Sequence, residues 1–497
     1  MLQSVVRSAA RKIAPLAMGA TALGSALFSA PPVAAGVVFH PGFSDIQLVK
    51  AGEVPPTQAQ CNAISRRCFN PTAEQNSYNL TPLLASGHQG QGQTIIIVDA
   101  FGSETMRHDL KVFDNAFGLP HMCGEEGTLA GCSGPTFSEF QQGNTSTNPL
   151  PGTSRSPGQE DRSAWAIEVA LDVEWAHTMA PMANILLVTT PTAETLGVQG
   201  FPDFMKAEAT VIAQHRGSVI SQSFASTEEA FNGGTAALQN LRYAFQAAQA
   251  NRVTVFASSG DFGSAGLLKT PVHAGGTLLP FPAVWWPASD PLVTGVGGTY
   301  ECTNASTGVG VDSVSPPSNC RSYPGVREIG WIDAGGGFSH VFAKPSFQNT
   351  LPPGSTAIGS MRGVPDIGLQ ASSRTGVLIY ITNPGYSTNV NDSGWYVIGG
   401  TSSSSPQWAG LIAVANEMST SGGGKQLGYI NPALYAIAAN PAMYASDFYD
   451  VTTGNNAAFA PAVAGYNATT GWDPVTGLGT PNAANLLPDL IAYVNSH

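Results

Sequence analysis

Glu168 and Asp172 stand four residues apart in the run Trp165-Ala166-Ile167-Glu168-Val169-Ala170-Leu171-Asp172-Val173-Glu174-Trp175-Ala176. On a helix that spacing puts both carboxyls on one face, one turn apart. Trp165, Leu171 and Trp175 lie on or beside that face, so it does not read as a solvated stripe. Like charges at this spacing repel by about 0.2–0.5 kcal/mol even when exposed, and more where water is scarce. Two acids kept together among apolar neighbours call for a purpose. Two surface acids whose side chains reach water are the plain alternative.

A second constellation is Gly399-Gly400-Thr401-Ser402-Ser403-Ser404-Ser405-Pro406, followed by the helical QWAGLIAVANE. Small residues at a loop-to-helix junction let a side chain stand clear while the backbone approaches a ligand. A serine there has the positive end of the helix dipole beside it, which favours a developing anion. Ser and Thr are also the preferred N-caps, and four consecutive serines leave the reactive one undetermined. The third is Ser258-Ser259-Gly260-Asp261 after the apolar Val255-Phe256-Ala257. It sets an acid just past the C-terminal end of a buried strand, where open α/β sheets build their sites. An ordinary turn aspartate fits the same place.

The elements that must position these residues follow from the apolar runs. Gln93-Thr94-Ile95-Ile96-Ile97-Val98-Asp99 is an unbroken β-branched run that suits a strand buried on both faces. Similar runs follow at 185–188, 219–221 and 253–256, with helix-like segments at 162–180 and 235–250 between them. Strands alternating with helices predict an α/β fold: a doubly wound, mainly parallel sheet covered by helices on both faces. Residues 86–497 read as one large domain, and 36–85, with weak periodicity, as an N-terminal extension of it. The polar, turn-rich stretch 141–160 reads as a surface loop.

Composition narrows the function. Only 11% of the 497 residues are charged, against roughly 25% in an ordinary soluble domain. Acids outnumber bases 33 to 21 with no basic tract, so no nucleic-acid partner is expected. A surface so poor in charge changes little when carboxylates protonate, which suits work in acid. Residues 1–35 read as a secretory signal: Arg7, Arg11 and Lys12, an apolar stretch from Ile13 to about Ser29, then Val33-Ala34-Ala35 for cleavage. An uncleaved anchor helix is the alternative, opposed by Pro15, Pro31 and Pro32. No later stretch reads as transmembrane, so a secreted chain free of the membrane is expected. Six cysteines fall in neighbour pairs, Cys61 with Cys68, Cys123 with Cys132 and Cys302 with Cys320. Three disulfides closing short loops are the simplest reading.

Taken in order, the three constellations resemble the sedolisin family of serine-carboxyl peptidases, which includes kumamolisin and lysosomal tripeptidyl peptidase. The family pattern is Glu-x-x-x-Asp on one helix, Ser-Gly-Asp after a later strand, and Gly-Thr-Ser-x-x-x-Pro near the C-terminus. Here these are Glu168 with Asp172, Ser259-Gly260-Asp261, and Gly400-Thr401-Ser402 with Pro406. Ser221-Gln222-Ser223-Phe224, Pro287-Ala288-Ser289, Val296-Gly297-Gly298-Thr299, Gly337-Phe338-Ser339 and Arg362-Gly363-Val364-Pro365-Asp366 add to the match, which spans residues 93 to about 482. The resemblance implies a subtilisin-like fold, Ser402 as nucleophile, Glu168 as general base, Asp172 orienting Glu168, and Asp261 giving a proton to the oxyanion. The chemistry agrees: a serine hydroxyl needs an adjacent base held by a third group. A carboxylate base and a protonated carboxyl donor both favour acid.

A subtilisin-type enzyme is the nearest competitor, because Asp99 ends the first strand where that family keeps its triad aspartate. Its His-Gly-Thr-His helix is missing, and His177, five residues past Asp172, reads as structural. Asp99 then reads as a supporting carboxylate for Glu168.

The resemblance also implies one structural calcium ion near the C-terminus. Asp450 and Asp473 would give carboxylates, and Val451, Thr469 and Gly471 backbone carbonyls. Such an all-oxygen set is what calcium takes. Thr469 stands where the family usually has glycine, which a carbonyl ligand tolerates. Sedolisins are normally made with a long N-terminal prodomain. Residues 36–92 are too few for one, so a much smaller substitute held by Cys61 and Cys68, or none, is expected. Protein and peptide substrates, a monomer and endopeptidase action are expected. A tripeptidyl peptidase and a secreted non-catalytic binding protein on the same scaffold are the alternatives.

Overall fold

A computed structural model of the chain describes residues 44–128, 131–143, 159–194, 200–231, 233–268, 277–312, 318–382 and 393–497. The signal-like residues 1–35 and most of the loop 141–160 lie outside these. The centre is an eight-stranded sheet. In spatial order it runs Glu328–Gly330, Thr294–Glu301, Thr254–Ser258, Val219–Gln222, Thr94–Ala100, Asn184–Thr190 and Phe137–Gln141, with Ile367–Gln370 also on Thr294–Glu301. Every pairing is parallel except Glu328–Gly330 on Thr294–Glu301.

The β-branched runs fill both faces. Ile95, Ile97, Ile185, Leu187 and Val219 belong to one apolar cluster, while Ile96, Val98, Leu186, Val188 and Ile220 belong to another. This is the two-sided burial that a parallel sheet needs. The first face is covered by the helices Gln159–Met179 and Thr401–Ser421, the second by Phe201–Ala213 and Tyr243–Ala250. The doubly wound α/β arrangement read from the sequence is the one observed. The expected helix at 235–250 is two helices, Gly234–Leu241 and Tyr243–Ala250.

Residues 44–85 are more than an appendage. Ser44–Ala51 pairs antiparallel with Gly394–Gly399, and Arg67–Phe69 pairs parallel with Thr375–Ile381, giving a second, four-stranded sheet. The regular fold therefore starts well before Gln93. The sequence hides this because Arg67–Phe69 is only three residues long and Ser44–Ala51 pairs through two register shifts. The three neighbour disulfides are formed.

Several matched motifs turn out to be framework. Arg362, fully buried, grips both oxygens of Asp366 at 2.9 and 2.6 Å and donates to the carbonyls of Ala288, Ser289 and Val293. A buried pair persists only when its remaining donors and acceptors are met. Asp366 meets this by also accepting from Gly295 N–H and the Tyr435 hydroxyl.

Candidate active site

The acid helix Gln159–Met179 and the serine helix Thr401–Ser421 lie against one another on the same face of the sheet. Gly410 sets their approach: a Cβ there would stand 2.5 Å from Cβ of Met179 and 3.1 Å from the Ala176 carbonyl. The serine helix springs directly from the strand Gly394–Gly399. Gly400, at φ 121°, makes that turn in a conformation closed to other residues.

The four serines divide sharply. Ser403 donates to Gln370 Oε1 at 2.9 Å, Ser404 to the Gln370 carbonyl at 2.9 Å, and Ser405 shares a hydrogen with Ser221 at 2.8 Å. Ser402 Oγ alone of the four completes no hydrogen bond, and it faces Glu168 closely enough for its hydroxyl to favour the ionised carboxyl. Ser402 is buried, so a carbonyl reaching it has to displace what covers it.

Behind Ser402 stand three buried carboxyls. Glu168 and Asp172 sit on the acid helix, and Asp99 at the end of the strand Thr94–Ala100. Burial first, then Asp99, push Glu168 well above its ordinary range; Ser402 pulls it back, and Asp261 and Glu194 push it further up. Burial, Asp99 and Glu168 raise Asp172, against the pull of Ser223, which donates to its Oδ1 at 2.9 Å. Burial raises Asp99, and neither of its oxygens has a hydrogen-bond partner. Three such acids in low dielectric cannot all ionise. They share protons, and the cluster titrates as a unit.

Asp261 follows the strand Thr254–Ser258 through Gly260, at φ 102°. Its Oδ1 accepts from both the N–H and the hydroxyl of Thr401, each at 2.8 Å, and its Oδ2 has no partner. Burial raises its pKa to about 8 against those two bonds, with Asp333 adding to the rise. The carboxyl is thus held neutral at pH 7 with its free oxygen turned away from Thr401. Beside it opens a cavity of about 480 Å³ whose wall includes Asp45, Tyr300, Trp331, Asp333 and Arg374. Among the described residues this wall comes from the segments around 330 and 373 and from the N-terminal strand.

The structure brings Glu168, Asp172, Asp261 and Ser402 into one site. His177 is elsewhere: buried, it donates to the Pro120 carbonyl at 3.0 Å and stands 3.3 Å from Asp114. Ser223, Thr401 and Asp333 were missed as positioning groups. Ser223 and Thr401 lay inside quoted motifs, but nothing in composition marks which of two neighbouring hydroxyls turns inward.

At the C-terminal end, Asp450 accepts from Gly471 N–H at 3.2 and 3.1 Å, and Asp473 accepts from the N–H groups of Thr469, Val475 and Thr476. Among the described residues, no backbone hydrogen bond ends on the carbonyls of Val451, Thr469 or Gly471. Burial raises Asp450, and raises Asp473 to about 7, so both would gain from a cation. Two carboxylates and three spare carbonyls, all hard oxygens, fit calcium.

No family model matches the chain. Kumamolisin from Bacillus sp. (strain MN-32) is 32% identical over 335 residues, covering 65% of this chain and 50% of that protein. Tripeptidyl-peptidase SED1 from Arthroderma otae is 34% identical over 296 residues, covering 54% and 40%. The structure of Pseudomonas sedolisin superposes with a TM-score of 0.61 at 25% identity, covering 87% of this chain and 99% of that one. These likenesses support the sedolisin family. It spans about half the length of the curated relatives it matches. Within the sedolisin framework, the subtilisin-like doubly wound sheet and its covering helices are the shared part. Asp45 on the N-terminal strand and Asp333 are the features of the cavity wall that this chain's sequence did not announce.

Proposed function

We propose that the protein is a secreted serine-carboxyl peptidase in which Ser402 attacks the peptide carbonyl. The observation that carries this reading is the singling out of Ser402: its three neighbours are bonded into the framework, while its hydroxyl is free and faces Glu168. Glu168 takes the Ser402 proton as the Oγ–C bond forms. Asp172, steadied by Ser223, and Asp99 hold the remaining protons of the cluster and orient Glu168. Asp261 gives its Oδ2 proton to the oxyanion, which needs no rearrangement because Oδ1 is already committed to Thr401. Collapse re-forms the carbonyl, returns the proton to Asp261, breaks the C–N bond and passes a proton from Glu168 to the leaving amine; water then repeats the sequence on the acyl-enzyme.

Calcium bound by Asp450, Asp473 and the carbonyls of Val451, Thr469 and Gly471 would tie down the C-terminal loops and take no part in the reaction. Three disulfides accord with export. Among the described residues no helix is long and apolar enough to cross a membrane.

Casein or haemoglobin digestion across pH 2–8 tests the reading, with Ser402→Ala as control. Activity that survives Ser402→Ala, or folded, calcium-loaded wild type that is inert throughout, overturns it; the second result leaves a binding protein on a peptidase scaffold. Endopeptidase action is the first reading. Relatives named tripeptidyl-peptidases favour the second. Peptides with free and acetylated N-termini separate them, since removal of tripeptides requires the free amine.

A further inference from the structure

Away from the site, a second cluster joins the helix Met106–Phe117 to the turn after it. Asp114 is fully buried on the helix, while His121 and Glu125 come from the turn. One ligand atom from each lies within 4.8 Å of the others. Glu125 Oε2 meets His121 Nδ1 at 2.8 Å, and its Oε1 accepts from Met122 N–H. The Glu125 side chain is 1% exposed, whereas that of His121 is 52% exposed. Neither oxygen of Asp114 accepts a hydrogen bond, and its nearest cationic group is His177 Nε2, 3.3 Å from Oδ1.

Two buried carboxyls side by side repel unless something positive stands between them. His177 stands 3.3 Å from Asp114 Oδ1, but its Nε2 hydrogen goes to the Pro120 carbonyl, so it leaves the two carboxyl oxygens of Asp114 unbonded. The turn is built stiffly. Cys123 is tied to Cys132, and Gly124, at φ 116°, allows an approach in which a Cβ would stand 2.2 Å from the Phe137 carbonyl.

We infer that Asp114, His121 and Glu125 form a binding site for a zinc-type divalent cation, entered from the exposed side of His121. An imidazole with two carboxylates suits zinc, and it falls short of the six or more oxygens that calcium takes. Water fills the remaining position. The ion would clamp the turn onto the helix, independently of the peptide chemistry at Ser402.

The test uses full-length protein freed of metal with a chelator and resaturated with calcium. Zinc is titrated calorimetrically at pH 7, and cobalt is followed by its visible spectrum. The expected result is one zinc per chain at micromolar or tighter affinity, a rise in Tm, and cobalt bands of an imidazole-containing site. His121→Ala, a half-exposed change that leaves the core intact, should weaken zinc at least about tenfold and remove the cobalt bands. Asp114→Asn should do the same, and His88→Ala should change nothing. Absence of saturable zinc uptake would show that a shared proton holds the pair and would overturn the assignment. So would uptake that survives both His121→Ala and Asp114→Asn.

Discussion

Thr401 grips one oxygen of Asp261 twice, through its N–H and its hydroxyl, both at 2.8 Å, and leaves the other oxygen free. The proton of the neutral carboxyl is thereby confined to Oδ2. Thr401→Val keeps the shape and the N–H bond but loses the hydroxyl, which also accepts from Gly260 N–H. The lost hydroxyl bond had lowered the Asp261 pKa, so the alkaline limb of kcat/KM should move up. With the carboxyl less firmly aimed and Gly260 unpaired, kcat should fall by about 10-fold, equivalent to about 1.4 kcal/mol. A pH–rate series on both proteins reads the two effects separately.

The same carboxyl sets an upper bound on activity. Glu168 must have given up a proton and Asp261 must have kept one, so kcat/KM should follow a bell. Its rising limb belongs to the Glu168–Asp172–Asp99 cluster as a unit. Its falling limb should lie near pH 8, the value to which burial lifts Asp261. Asp261→Asn retains a hydrogen-bond donor that does not titrate. It should abolish the falling limb while lowering kcat by about 10²–10³-fold, the usual loss for a weakened oxyanion donor. A falling limb unchanged in Asp261→Asn would remove Asp261 from the reaction.

Glu208, on the helix Phe201–Ala213, is buried with neither oxygen partnered, and burial alone raises its pKa well above the ordinary value. The folded chain therefore holds this proton more tightly than the unfolded one. Its contribution is fully present below the unfolded pKa of about 4.3 and is lost as pH rises through the folded value. Asp99, Glu168, Asp172 and Glu74 are shifted in the same sense. Thermal unfolding should show Tm falling from pH 4 to pH 8. Glu208→Gln should raise Tm at pH 8 and leave it unchanged at pH 4.

Calcium removal should destabilise without altering the chemistry. At a calcium concentration 100 times Kd, binding contributes about 2.7 kcal/mol. Chelation should lower Tm accordingly, and Asp473→Asn should remove the calcium dependence, as followed by calorimetry with and without chelator. Activity measured well below Tm should change little in either case.

The chemistry was more legible than the scaffold's edges. The carboxylate pair was readable because helical spacing fixes which side chains share a face. The central strands were readable because burial on both faces writes an unbroken apolar run. The identity of Ser402 was out of reach of composition, since its distinction is that Ser403, Ser404 and Ser405 are engaged by Gln370 and Ser221, residues distant in sequence. Asp333 and Asp45 join the cavity wall through chain crossings that no local pattern records. The strand Ser44–Ala51 was invisible for a related reason: its side chains are only partly covered, so no strong alternation marks it.

That strand has a practical bearing on how the protein is produced. It forms the outer border of the four-stranded sheet and lies along Gly394–Gly399, the segment that runs into Ser402. A shortened version starting after Ala51 would leave a row of unpaired N–H and C=O groups next to Ser402. Such a bare edge recruits strands from neighbouring molecules. Trimming the N-terminus for expression would thus invite self-association beside Ser402, whereas a start upstream of Ser44 keeps the border closed.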